Sequence, residues 1–140
     1  AVPGCEALTW NDLAIASTIY AVKPGDGSAR EQAASCQRVL GAGANIAVEY
    51  ATKRYRSNLI NWGMLPLLAD AALAQKLSVG DCFVLPGIRT AVEQDAASIT
   101  GWLVSAAGAV EAVELRLGDL TADERQIILD GCLINFYNHN

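Results

Sequence analysis

Histidine is almost missing from this chain: there is one in 140 residues, His139, a single position before the C-terminus. A side chain so close to a chain end is expected to fray, so any general-base or ligand chemistry has to come from other residue types. Cysteine is sparse as well, with Cys5, Cys36, Cys82 and Cys132 scattered along the chain and no Cys-x-x-Cys. That spacing excludes the usual zinc patterns and a dense disulfide framework, and it predicts free, buried, structural thiols in an intracellular, cytoplasmic protein. Cations are outnumbered, 10 Lys and Arg against 15 Asp and Glu for a formal charge of −5, which removes any broad attraction to nucleic acid or an anionic membrane. No apolar run approaches the ~18 residues of a membrane span, and the opening AVPGCEALTW lacks a basic stretch followed by an apolar one. Neither nucleic acid nor membrane is expected as a partner.

What the chain does have is apolar material, 52% of its residues, enough for a core in one compact domain spanning residues 1–140. Leu13 to Val22 lacks a helical stripe and reads as a buried strand running into the break Lys23-Pro24-Gly25-Asp26-Gly27. A helix is expected from Ser28, where Ser28-Ala29-Arg30-Glu31 forms a Ser-x-x-Glu capping box. Ala33, Ala34, Val39 and Leu40 offer it an apolar face before Gly41 and Gly43.

Asn45 to Glu49 reads as a second strand and Tyr50 to Trp62 as a second helix, closed by Gly63 and followed by the extended exit Met64 to Leu68. Val79-Gly80-Asp81 is a turn into a strand at Cys82 to Leu85, and Val110 to Leu117 alternates as a half-buried strand does. A second capping box, Thr121-Ala122-Asp123-Glu124, opens a last helix whose face carries Ile127, Ile128, Cys132, Leu133 and Phe136. The fold class is α/β, with helices packed on a largely β layer.

The segment Gly25 to Arg30 concentrates chemistry. Glycines let the backbone approach a ligand, a helix start offers unpaired N–H groups to an anion, and Arg30 adds a bidentate fork for a carboxylate. Ser28 stands at the mouth of that arrangement, where N–H donors and cations favour an alkoxide able to take a proton beside a carboxylate. The competing reading is structural: Ser28 with Glu31 as an ordinary cap, and Arg30 as a solvated first-turn residue. Lys53-Arg54-Tyr55-Arg56 is open in the same way, gathering anionic substrate or forming a solvated or domain-facing helix surface. Asn58 and Asn61 are equally ambiguous, and Trp10, Trp62 and Trp102 read as core or interface aromatics.

Gly25-Asp26-Gly27-Ser28-Ala29-Arg30-Glu31, followed after a helix and a strand by Arg56-Ser57-Asn58-Leu59 and Gly63-Met64-Leu65-Pro66-Leu67, resembles the C-terminal swivelling domain of the aconitase superfamily. Val79-Gly80-Asp81 and the stretch from Leu120 to Asn135 resemble that domain's end, so the likeness runs from about Leu13 to the C-terminus. The two motifs together are specific, though either alone is weak. The resemblance implies a β/β/α swivelling domain that closes over an active site built mainly by other domains holding a [4Fe–4S] cluster. No cofactor is then expected in this chain.

By the same resemblance Ser28 would be the catalytic base, Arg30 would bind a substrate carboxylate, and Gly27 and Ala29 would line the substrate loop. The reaction implied is reversible dehydration and hydration of a hydroxy di- or tricarboxylate. The chain departs from the family at Ala29, where a second serine is usual, and at Gln32, where a histidine is usual. The family's Asp- and Thr-rich opening segment is not found in the first dozen residues, so the expectation is either a start part-way through the domain or a divergent branch of the family. The partners implied are cluster-bearing domains of the same protein, and the chain alone is expected to be inactive. Two alternatives stand beside this: the small subunit of a two-chain hydro-lyase resembling isopropylmalate isomerase, with a large cluster-bearing subunit, or a non-catalytic binding or regulatory module.

Overall fold

The computed structural model describes residues 2–139. Among them, six strands form one mixed sheet and six α-helices pack with it. The strands are β1 (Ser17–Ala21), β2 (Ala42–Ala47), β3 (Leu65–Leu68), β4 (Cys82–Val84), β5 (Ser98–Val104) and β6 (Val110–Arg116). The helices are α1 (Arg30–Val39), α2 (Lys53–Asn61), α3 (Ala71–Ala74), α4 (Ile88–Glu93), α5 (Ala122–Asp130) and α6 (Leu133–His139). The sheet order is β1-β2-β3-β6-β5-β4.

The sheet has two halves of different construction. β1, β2 and β3 run parallel, so each must be joined to the next by a crossover, and α1 and α2 supply them. β6, β5 and β4 are antiparallel neighbours; a short turn joins β5 to β6, whereas α4 lies in the connection between β4 and β5. The halves meet where β3 and β6 pair antiparallel at Leu68 and Arg116. One core spans that seam: Ile46 and Leu67 from the parallel side pack in the same cluster as Leu103, Val113 and Leu115 from the other, with Ile60 and Ile127 from the helices above. A second, smaller cluster of Ala34, Ala42, Tyr55, Leu59 and Met64 lies between α1, α2 and β2.

The α/β class, the turn before β4, the alternation of β6 and the capping box of α5 are all present. In β6, Val113 and Leu115 are buried while Glu114 and Arg116 are exposed, as a period of two requires. At α5, the Thr121 hydroxyl accepts from the Glu124 N–H and the Glu124 carboxylate accepts from the Thr121 N–H.

Several local expectations are corrected. Leu13 to Val22 is not a buried strand: β1 covers Ser17–Ala21 and is an outer strand paired only with β2, so its open side leaves Ile19 and Val22 exposed and Ile15, just before it, 78% exposed. The Ser28–Glu31 capping box does not form. α1 begins at Arg30, Ala29 occupies the N-cap position, and no side chain caps this helix. Of the apolar face expected for α1 only Ala34 is buried, and Val39 and Leu40 at its last turn are more than 80% exposed. The long last helix is two: Gly131 adopts the left-handed conformation, ends α5, and lets α6 start again at Leu133. The cysteines are free, but none is buried; Cys36 and Cys82 are exposed and Cys5 and Cys132 half-buried. Trp10 is 79% exposed, which removes the core alternative of its core-or-interface reading.

Candidate functional site

The loop that leaves the carboxyl end of β1 crosses to the start of α1, and it is laid against the loop that joins β2 to α2. Past the end of the strands the two loops continue to bond: the Glu49 N–H donates to the Val22 carbonyl (3.1 Å) and the Ala51 N–H to the Pro24 carbonyl (2.9 Å). Lys23 and Glu49 form an exposed ion pair at 2.8 Å across the same junction. The ion pair holds the Lys23 ammonium above its ordinary range, chiefly through the hydrogen bond to Glu49. One step further, the Gly25 carbonyl accepts from the Thr52 hydroxyl at 3.5 Å and from Arg30 Nε at 3.3 Å.

Thr52 has a second task. Its hydroxyl accepts from the Tyr55 N–H at 3.1 Å and so caps α2, the helix whose first turn carries Tyr55. Tyr55 is 2% exposed, and its ring is packed under Gly25. Gly25 has φ +97°, and a Cβ at that position would lie 2.5 Å from Tyr55 Cβ and Cγ, so only glycine fits both the backbone and the space. The phenol oxygen of Tyr55 accepts from Gln37 Nε2 of α1 (3.0 Å) and from Asn45 Nδ2 of β2 (2.9 Å). Tyr50, whose ring centroid lies 6.3 Å from that of Tyr55, places its hydroxyl between the Asn45 and Leu67 carbonyls at 3.2 and 3.0 Å. Burial raises the Tyr50 phenol well above its ordinary 10.0, and the neighbouring Tyr55 adds to the shift.

Over this floor lies a cleft of about 170 Å³ lined by Gly25, Gly27, Ala29, Arg30, Ala33 and Tyr55. Three of the four residues singled out in the sequence, Gly27, Ala29 and Arg30, therefore meet in one place. Ser28 does not line the cleft. It sits between two residues that do, is exposed, and caps nothing, so its hydroxyl is open to solvent. Arg30 is half-buried, and because Nε is committed to the Gly25 carbonyl, its terminal nitrogens are the part of the guanidinium that remains for an anion.

The cationic run on α2 separates into different roles. Lys53 and Arg54 are exposed, whereas Arg56 turns away to the other half of the sheet, donating to the Asp119 carbonyl at 2.7 Å and approaching the Glu124 carboxylate at 3.8 Å. The residues that the sequence did not mark are Tyr55, Thr52 and Asn45. The available signal was a lone aromatic inside a run of cations with a threonine three residues before it, the spacing of a helix cap. Among the described residues no group of three or more His, Cys, Asp or Glu could hold a metal ion. No helix among the described residues is long and apolar enough to cross a membrane.

No curated protein matches the chain. A family model does: residues 9–72 match the aconitase C-terminal domain. The matched stretch is the parallel half of the sheet with α1 and α2, and it contains every residue that builds the cleft. Over residues 9–72, a little under half of the chain, the sequence is similar to the aconitase C-terminal domain.

Proposed function

We propose that this chain is the substrate-covering domain of an aconitase-like hydro-lyase, acting by reversible loss and addition of water on a hydroxy di- or tricarboxylate. The observation that carries this reading is Arg30, a residue that lines a small cleft and whose guanidinium is tied by Nε to the loop carbonyl of Gly25. That is a clamp suited to one carboxylate, held in orientation before the anion arrives, so less side-chain entropy is lost on binding. Residues 1–140 act in this reading as a single domain.

Ser28 is the base in this proposal. It takes the proton from the carbon next to the carboxylate that Arg30 holds, and returns it in the hydrating direction. Its position supports the role in one respect: the hydroxyl is not used as a helix cap and is available to whatever closes over the loop. Gly27 and Ala29 flank it with backbone N–H groups close to the start of α1, where uncapped helix donors favour negative charge. In this reading the iron–sulfur cluster of the family is brought by other domains or by a large subunit.

The test is turnover of hydroxy di- and tricarboxylates by this chain together with cluster-bearing aconitase-type domains, followed by the absorbance of the unsaturated acid. Ser28→Ala is expected to lower kcat by about 10²–10⁴. Arg30→Lys is expected to raise KM or lower kcat/KM by about tenfold or more. Unchanged turnover with Ser28→Ala would remove the base role and with it the catalytic reading of this loop.

A further inference from the structure

Tyr55 touches every element that shapes the cleft. Its ring supports Gly25 from below and forms part of the cleft wall, and its backbone N–H is held by Thr52, whose hydroxyl also reaches the Gly25 carbonyl. Its phenol oxygen receives one amide from α1 and one from β2. Gln37 lies seven residues beyond Arg30 on α1, two helical turns along the same face, so the phenol grips the helix that carries the arginine. The Gly25 carbonyl at the other end of the tyrosine is the acceptor that orients Arg30 Nε. One side chain therefore fixes both the helix from which Arg30 projects and the backbone group to which it is tethered.

The network has no redundancy. The amide oxygens Gln37 Oε1 and Asn45 Oδ1 are buried without a hydrogen-bond partner, so for both amides the phenol oxygen of Tyr55 is the point at which they are satisfied. Removing that oxygen leaves two side-chain amides unpaired, one of them on Asn45, which is 1% exposed. The expected response is rotation of Gln37 and relaxation of α1 against α2, and that motion changes where Arg30 sits above Gly25.

From this we infer that Tyr55 is a positioning residue for the carboxylate clamp: through Gln37, Asn45 and Gly25 it sets the direction in which the Arg30 guanidinium faces the cleft. This rests on the reading of Arg30 as a carboxylate ligand for its function, but the orientation of Arg30 can be read without any ligand. It assigns to a buried residue of the cleft wall a role that is exerted through Arg30 rather than on the reacting atoms.

The experiment is a pair of NMR measurements on the whole chain. The first is exchange of the Arg30 Nε proton with water, which is slowed by its bond to the Gly25 carbonyl. The second is titration with tricarballylate, a tricarboxylate with no hydroxyl to lose, followed at the Gly27 and Ala29 amides. Tyr55→Phe is expected to speed exchange at Arg30 Nε and to weaken tricarballylate binding by about fivefold or more. Gln37→Met, a milder change should Tyr55→Phe fail to fold, is expected to move both readouts in the same direction by less. Val113→Ala, in the other half of the sheet, lowers stability without touching the network and is expected to leave both unchanged.

Wild-type exchange at Arg30 in folded Tyr55→Phe and Gln37→Met overturns the inference, as does an equal change in Val113→Ala. Failure of wild type to bind tricarballylate, with exchange still accelerated by Tyr55→Phe, keeps the positioning role and removes the carboxylate reading instead.

Discussion

Gly25 rests on the ring of Tyr55 so closely that a methyl group on the glycine would stand 2.5 Å from the tyrosine Cβ and Cγ. The contact joins the loop after β1 to the first turn of α2, two segments thirty residues apart in sequence, and the candidate cleft opens directly above it. A loop held on an aromatic ring, two interloop backbone bonds and a threonine hydroxyl differs physically from a loose glycine-rich connection. Its shape is present before any ligand arrives.

Gly25→Ala tests that contact. The substitution combines a positive φ of 97° with a clash against a buried ring, and it is expected to cost about 2–4 kcal/mol, read as a fall in the urea midpoint with little change in slope. A loss below about 0.5 kcal/mol would mean that the loop lifts away from Tyr55 at little cost.

Ser28→Ala and Thr121→Ala should part company. Both serve sequences that read as capping boxes, but only Thr121 makes the bonds. Thr121→Ala is expected to destabilise the protein by about 1 kcal/mol, whereas Ser28→Ala should stay within about 0.5 kcal/mol of wild type. Equal losses in thermal melts would restore Ser28 to a capping role.

Tyr50 makes stability depend on alkaline pH. The buried phenol holds its proton above 10.0 in the folded chain, so between that value and the raised folded one the folded state binds more protons than the unfolded state. Stability present below pH 10 is therefore lost as pH rises through that window, by up to about 1.4 kcal/mol per pH unit from this group. Lys23, raised by Glu49, titrates in the same sense from the surface. Urea melts at pH 9, 10 and 11 should show the decline in wild type and a shallower one in Tyr50→Phe; parallel profiles would exonerate Tyr50.

The seam between the two halves of the sheet predicts a cost for losing Arg56. Its guanidinium reaches the Asp119 carbonyl and, more distantly, Glu124, while on the same side of the molecule Gly63 lies so near the Gly131 carbonyl that a side chain there would collide with it. Arg56→Ala is expected to cost about 1–3 kcal/mol and to raise amide hydrogen exchange in α5 more than in α1. Uniform exchange in both helices would show that Arg56 does not hold the seam.

The legible parts of this protein were those whose cause is local. Thr121 and Glu124 are three residues apart and cap a helix between themselves; Val110 to Leu117 alternates because successive side chains of a strand face opposite ways. The Gly25 to Arg30 segment was legible as a place where backbone and cation meet, because it is short and rich in residues with restricted uses. Elsewhere local signals misled. Ser28 and Glu31 have the spacing of a cap, but the chain enters α1 only at Arg30, with its loop already committed to Gly25, Thr52 and Tyr55. β2, Ala-Gly-Ala-Asn-Ile-Ala, has little strand propensity and is a strand because β1 and β3 pair with it on either side.

Sequence alone, then, was sufficient for the α/β class, for the α5 cap and for the choice of Gly27, Ala29 and Arg30 as neighbours, since each depends on spacings of a few residues. Tertiary structure decided the strand order, the exposure of β1 at the edge, the split of the last helix at Gly131 and the place of Tyr55 beneath the cleft. Those depend on contacts between segments far apart in the chain, where the free energy comes from shared burial and buried hydrogen bonds that no single segment encodes.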